Sequence, residues 1–200
     1  MKTIICLIRH GQTDWNKKYL IQGTINNPLN ETGKKQANDT ANLLKEINLD
    51  WDVLITSPLI RAKETMEIIR DSLYPNKEII IDNQFIEREF GELEGMKVTD
   101  ETYKIMSSGS AKGLESLENL KNRSVNALIN IAKKYPNKKI LITSHSQFIK
   151  GALIKIDDGV DFTYPLKNTS LNFIKCNNDT LSILKYNVTT KEEYNEIKGV

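Results

Sequence analysis

Short runs of Ile, Leu and Val recur along the chain and alternate with longer stretches of helical periodicity. The runs fall at residues 3–8, 52–57 ("DVLITS"), 78–82 ("EIIID") and 138–144 ("KKILITS"). Near-continuous apolar runs of this length suit strands buried on both faces, as in a parallel sheet. Helical patterns occupy 29–47, 57–73 and 114–135, and a fourth begins after Ser144. Such alternation predicts an α/β three-layer sandwich: a mostly parallel, twisted sheet with helices on both faces. Near the end, "TSLNFIKC" and "TLSILKYN" flank "NND", the signal of a hairpin that adds an antiparallel edge strand. Residues 92–113 are polar, glycine-punctuated and weakly periodic, and read as a small cap inserted between sheet elements. From Thr189 the chain is charged, as expected of a surface helix or a frayed end. Residues 1–200 together read as a single domain.

Composition narrows the function classes. Two hundred residues, 39% hydrophobic and 27% charged, form a chain able to bury roughly two thirds of its unfolded surface. No apolar run is long enough to span a bilayer, and Arg9 and His10 stand where a signal peptide would need small residues. Basic residues number 28 and acidic residues 26, mixed throughout. That balance predicts neither a nucleic-acid nor a membrane partner, so an anionic ligand must be recognised locally. Cys6 and Cys176 lack metal-site spacing and read as free thiols in a reducing cytoplasm.

Polar groups delivered together at strand ends mark a site, because open α/β sheets bind ligands beyond the carboxyl ends of their strands. Arg9, His10 and Gly11 end the first run, and His145, the second of two histidines, follows the run at 138–144. In "TSPLIRAKET", Ser57 reads as an N-cap and Pro58 as the first helical residue, which puts Arg61 in the first turn of a helix. Two guanidinium forks, two imidazoles and a helix N-terminus on one sheet edge suit a phosphoryl group.

These residues carry a resemblance. "LIRHGQTDWN", "IQGTINNPLNETGKKQA", "TSPLIRAKET", "EREFGELEG", "ESLENLKNR" and "TSHS" occur in the order found in the histidine phosphatase superfamily, and the chain is similar to its phosphoglycerate mutase-like, small broad-specificity and alpha-ribazole-type phosphatases. The resemblance implies a two-step transfer through a phosphohistidine. His10 is the expected nucleophile, neutral, with its other ring nitrogen held by a backbone carbonyl. Arg9, Arg61 and His145 are expected around the phosphoryl oxygens, joined by Asn16, Gln22, Gly23 and Ser146. Glu87 matches the general acid and base, with Glu89 the alternative among the crowded carboxylates. The implied function is hydrolysis of a small phosphorylated metabolite with no metal and no cofactor. A cofactor-dependent mutase and a non-catalytic phospho-ligand module are the competing readings.

Some features read otherwise. Gly33, Lys34 and Lys35 lack the earlier glycine of a phosphate-binding loop, so the lysines read as a solvated helix face. Arg70 and Arg123 read as solvated too. Ser146 and Gln147 replace the family's usual glycine after the second histidine, which leaves the substrate open. Arg88 is kept from the mutase pattern, yet the cap is short and lacks an adjacent arginine pair, which favours water over a second acceptor. The hairpin edge is available to pair in a homodimer.

Overall fold

The computed structural model describes residues 2–160 and 164–197. In chain order the elements are β1 (Lys2–Arg9), α1 (Asp14–Lys17), α2 (Glu31–Ile47), β2 (Val53–Thr56), α3 (Ile60–Leu73), β3 (Ile79–Ile81), α4 (Asp100–Ser108), α5 (Leu117–Lys134), β4 (Lys139–Ser144), α6 (Ser146–Ile156), β5 (Leu171–Asn177), β6 (Thr180–Val188) and α7 (Lys191–Asn195). One six-stranded sheet runs in the order β3-β2-β4-β1-β5-β6. β3, β2, β4 and β1 are mutually parallel; β5 is antiparallel to β1, and β6 to β5. The hairpin turns at Asn178 and Asp179, both left-handed at φ 47° and 66°, as a two-residue turn between right-twisting strands requires.

The two-residue period of the strands sorts the core. Ile5 and Leu7 of β1, Ile140 and Ile142 of β4, and Ile174 of β5 pack on α5 and α6 through Leu128, Ile131, Phe148 and Ile149. Cys6, Ile8, Leu141 and Phe173 face the other way, onto Leu44, Met66 and Ile69 of α2 and α3. Each fully buried large apolar side chain contributes about 1.5–3 kcal/mol, which fixes the register of the central strands β1, β4 and β5 on both faces. Burial pushes both Cys6 and Cys176 thiols up, leaving them inert as nucleophiles. Of the two readings of the segment after Thr189, the surface helix is the one seen over Lys191–Asn195: α7 lays the Tyr194 ring 5.4 Å from that of Phe173.

One expectation needs correction. Helix α3 starts at Ile60 behind Leu59, which makes no side-chain cap, so Ser57 is not its N-cap and Pro58 lies outside it. The Ser57 hydroxyl is engaged by His145 instead, at 2.7 Å. The cap segment also holds a helix: α4, started by a Thr99–Thr102 capping box and stopped by left-handed Gly109. Its apolar side covers only a small separate cluster with Ile21, Phe90, Leu93 and Ala111, and that narrow stripe is why the periodicity is faint. Among the described residues, no helix is long and apolar enough to cross a membrane.

Candidate active site

The carboxyl ends of β1, β2 and β4 converge on a cavity of about 290 Å³ whose wall includes Arg9, His10, Asn16, Gln22, Gly23, Arg61, Glu87 and Ser146. The rest of the wall is largely apolar, from Leu20, Phe90, Val98 and the cap residues Tyr103 and Met106, with Gln147 and Lys150 on the α6 side. A larger cavity, about 440 Å³, lies at the far end of the strands beside Thr3, Lys133 and Asp179, without histidine or arginine.

His10 follows β1 directly, and its main chain is fixed from two sides. Its N–H donates to Ser144 O at 3.0 Å, and its carbonyl accepts from Asn168 Nδ2 at 2.9 Å. The ring is 3% exposed. Nδ1–H donates to Gly11 O at 2.7 Å, so Nε2 carries the lone pair, and Arg61 Nε–H donates to it at 3.2 Å. Burial, then Arg61, then Arg9 hold the imidazole well below its ordinary range, against a small opposing effect of the Gly11 bond. His10 is therefore neutral near pH 7. Gly11 N–H donates to Thr65 Oγ1, which itself donates to Arg61 O, so one hydroxyl joins the loop after β1 to α3.

Gly11 is also pressed against Gly33 in the first turn of α2. A Cβ on Gly11 would lie 2.5 Å from Gly33 O, and one on Gly33 would lie 2.1 Å from Gln12 O. The glycine of the "TGKK" stretch therefore serves a backbone contact that seats the loop after β1, while Lys34 and Lys35 are exposed.

Arg61 is fully buried, and its other arms donate to Ile25 O at 2.7 Å and Gly23 O at 2.8 Å. Gly23 thus contributes a carbonyl that aims the guanidinium, and its own left-handed backbone abuts Glu94, which accepts from Thr24 N–H. Arg9 donates to Leu166 O and leaves a buried Nε without a partner among the described residues. Burial pushes both arginines down to about 10, with Glu87 working against it, so both stay charged at neutral pH.

Thr13 orients two amides. Its hydroxyl donates to Gln22 Oε1 at 2.9 Å and to Asn16 Oδ1 at 3.2 Å, and Asn16 Oδ1 also takes the Thr13 N–H. With both carbonyls turned to Thr13, the NH₂ ends of Asn16 and Gln22 are the groups left to donate into the cavity.

Glu87 sits across the N-terminus of α6. Oε1 accepts from Arg88 N at 2.9 Å and Phe148 N at 3.0 Å, and Oε2 from Gln147 N at 3.3 Å. Glu89 is exposed and outside the cavity, whereas Glu87 lines it. Ser146 opens α6 at the cavity wall.

His145 shares with Arg61 the deepest burial of the expected site residues. Its ring centroid lies 5.2 Å from that of His10, but it is fully buried behind it and is not part of the cavity wall. Nε2 shares a hydrogen bond with Ser57, and Nδ1 has no partner among the described residues. Burial, then Arg61, keeps this ring neutral as well. Arg88 is buried and points away from the cavity, donating to Glu115 O and Met106 O. Arg123 is only partly exposed, and its guanidinium is engaged: it pairs with Glu115 and donates to Ile86 O and Glu87 O. Sequence reasoning missed Thr13, Ser57, Thr65 and Arg123; only Thr13 announced itself, through the Thr-x-x-Asn spacing of a capping box. Among the described residues, no group of three or more His, Cys, Asp or Glu is arranged to hold a metal ion.

A buried, neutral, tautomer-fixed imidazole beside charged guanidinium groups at a parallel-sheet edge suits a phosphatase hydrolase. The chain belongs to the histidine phosphatase superfamily (branch 1), whose family model it matches over residues 5–189. It is 40% identical to the uncharacterized phosphatase PhoE of Bacillus subtilis (strain 168) over 157 residues, covering 78% of this chain and 79% of that one. It is 32% identical to the metal-independent phosphoserine phosphatase of Arabidopsis thaliana over 183 residues, 86% of this chain and 76% of the relative. Among solved structures, a phosphoserine phosphatase mutant from Entamoeba histolytica in complex with phosphoserine superposes with a TM-score of 0.79 at 27% identity, covering 94% of this chain and 98% of that chain.

Proposed function

We propose that the protein is a metal-independent phosphomonoesterase that hydrolyses a small phosphorylated metabolite through a phosphohistidine on His10. The observation that carries this reading is the His10 ring: Nδ1–H held by Gly11 O and a lone pair at Nε2 in the cavity floor, beside Arg61. In the first step Nε2 attacks phosphorus, the ester P–O bond breaks, and Glu87 gives its proton to the departing alkoxide. Water then attacks phosphorus, Glu87 takes a proton from it, the P–N bond breaks, and orthophosphate leaves with His10 neutral again. Arg9 and Arg61 offset the charge on the phosphoryl oxygens, and the NH₂ groups of Asn16 and Gln22 add uncharged donors. His145 acts from behind, holding the floor through Ser57. The apolar wall and the small volume support a compact leaving group, and the name of the Arabidopsis relative supports metal independence.

The test is trapping. Brief incubation with a ³²P-labelled ester in chelator, followed by alkaline quench, should leave an alkali-stable, acid-labile label on the protein and none on His10→Ala. Label retained by His10→Ala would move the nucleophile elsewhere, and loss of activity in chelator would end metal independence.

A further inference from the structure

A proton donor must be held at one orientation, and Glu87 is gripped from both ends. Its carboxylate is bound by the N–H groups at the start of α6. Its main chain is bound by Arg123, whose arms donate to Glu87 O and Ile86 O, both at 3.0 Å. The same guanidinium forks onto Glu115, with Nε–Oε1 at 2.6 Å and Nη2–Oε2 at 3.0 Å. It also lies 5.5 Å from the ring of Phe148, whose N–H binds the Glu87 carboxylate.

Glu115 lies between the cap and α5, just before the Ser116 N-cap. Its N–H donates to Glu89 O at 2.9 Å and its carbonyl accepts from Arg88 Nε at 2.9 Å. Arg88 reaches on to Met106 O, in the last turn of α4, at 3.3 Å. Met106 and Tyr103 of that helix wall the cavity. One continuous set of bonds thus runs from the cap helix that walls the cavity to the backbone of Glu87.

We propose that the Arg88–Glu115–Arg123 cluster is a positioning device that ties the placement of the cap to the orientation of Glu87, with Arg123 as its central positioning residue. This rests on the reading of Glu87 as the general acid. A displaced acid harms only esters whose leaving group needs a proton. A phenolate stabilised by a nitro group departs with little help; an alkoxide does not.

The experiment compares kcat/KM, which reports on steps through formation of the phosphoenzyme, for p-nitrophenyl phosphate and glycerol phosphate. Glu87→Gln calibrates it, with a loss of about 100-fold or more on the alkyl ester and little on the aryl ester. Arg123→Met and Arg123→Lys, which keeps charge but not the fork, should each lose about tenfold or more on glycerol phosphate while p-nitrophenyl phosphate stays within about threefold. The aryl rate, measured on the same sample, certifies that each variant is folded. An equal fall on both esters, or no fall on either, in the Arg123 variants overturns the proposal. If Glu87→Gln itself loses equally on both, the general-acid reading fails and this one with it; if only Glu87→Gln is selective, this one fails alone.

Discussion

Replacing Gly33 by alanine pits two effects of known size against each other. At an ordinary helix position the change stabilises by about 1 kcal/mol, because alanine is the better helix former. Gly33 is helical, so nothing in its backbone forbids the methyl group. The obstacle is contact: the new Cβ would stand 2.1 Å from Gln12 O and 2.8 Å from Gln12 N. To reach even 3.0 Å from that oxygen, the two segments must separate by about 0.9 Å. Gln12 cannot yield freely, since its carbonyl accepts from Asn30 N and its N–H donates to Gln36 Oε1. Overpacking costs about 1–3 kcal/mol, and a weakened backbone hydrogen bond adds about 1 kcal/mol. The net expectation for Gly33→Ala is a destabilisation of about 1–3 kcal/mol, read as a lower urea midpoint at unchanged slope. Because Gln12 lies two residues from His10, a shift of this size should also lower kcat by about 100-fold. An alanine variant that is more stable and fully active would refute the argument that close approach, and not phosphate binding or chance, sets this glycine.

Three further outcomes are expected. Ser57→Ala leaves His145 Nε2 unpaired in a buried site, so stability should fall by about 1–3 kcal/mol and kcat should drop more than KM changes; an unchanged urea midpoint would contradict the role given to Ser57. Thr13→Val releases the amide of Gln22 and leaves Asn16 Oδ1 held only by the main-chain N–H of position 13, and the inhibition constant of orthophosphate should rise about tenfold, the equivalent of one hydrogen bond; unaltered phosphate inhibition would sink it. Both histidines are held well below their ordinary range in the folded chain, so the unfolded chain takes up protons first as pH falls. Stability should therefore be constant above about pH 6.5 and decline below it by up to about 1.4 kcal/mol per pH unit for each histidine. Denaturation at pH 5.5 and 7.5, repeated with His145→Asn, measures the slope; stability that rises on acidification would reverse the sign assigned here.

Much of this was legible because strands and site share one signal. The runs at 3–8 and 138–144 predicted β1 and β4, and the residues just past them, Arg9, His10 and His145, are brought together for the reason that parallel neighbours end on the same edge. What was illegible depends on partners distant in sequence. Arg123 looks like any charged helix residue until Glu115 and the carbonyls of Ile86 and Glu87 close around it. Glu87 and Glu89 differ only in which one faces the start of α6. Ser57 had the right chemistry for a cap but is claimed by a histidine 88 residues away. Helix α4 hid because it covers a satellite cluster and not the sheet, so few of its positions had to be apolar.

The contact between Arg61 Nε–H and His10 Nε2 makes the resting enzyme self-restrained. On the proposed mechanism, the electrons that must reach phosphorus are engaged by a guanidinium, which mutes the imidazole toward stray electrophiles. An oxyanion competes for that same N–H, and in drawing it away uncovers the lone pair just as phosphorus arrives. Reactivity is thereby granted by the cargo itself.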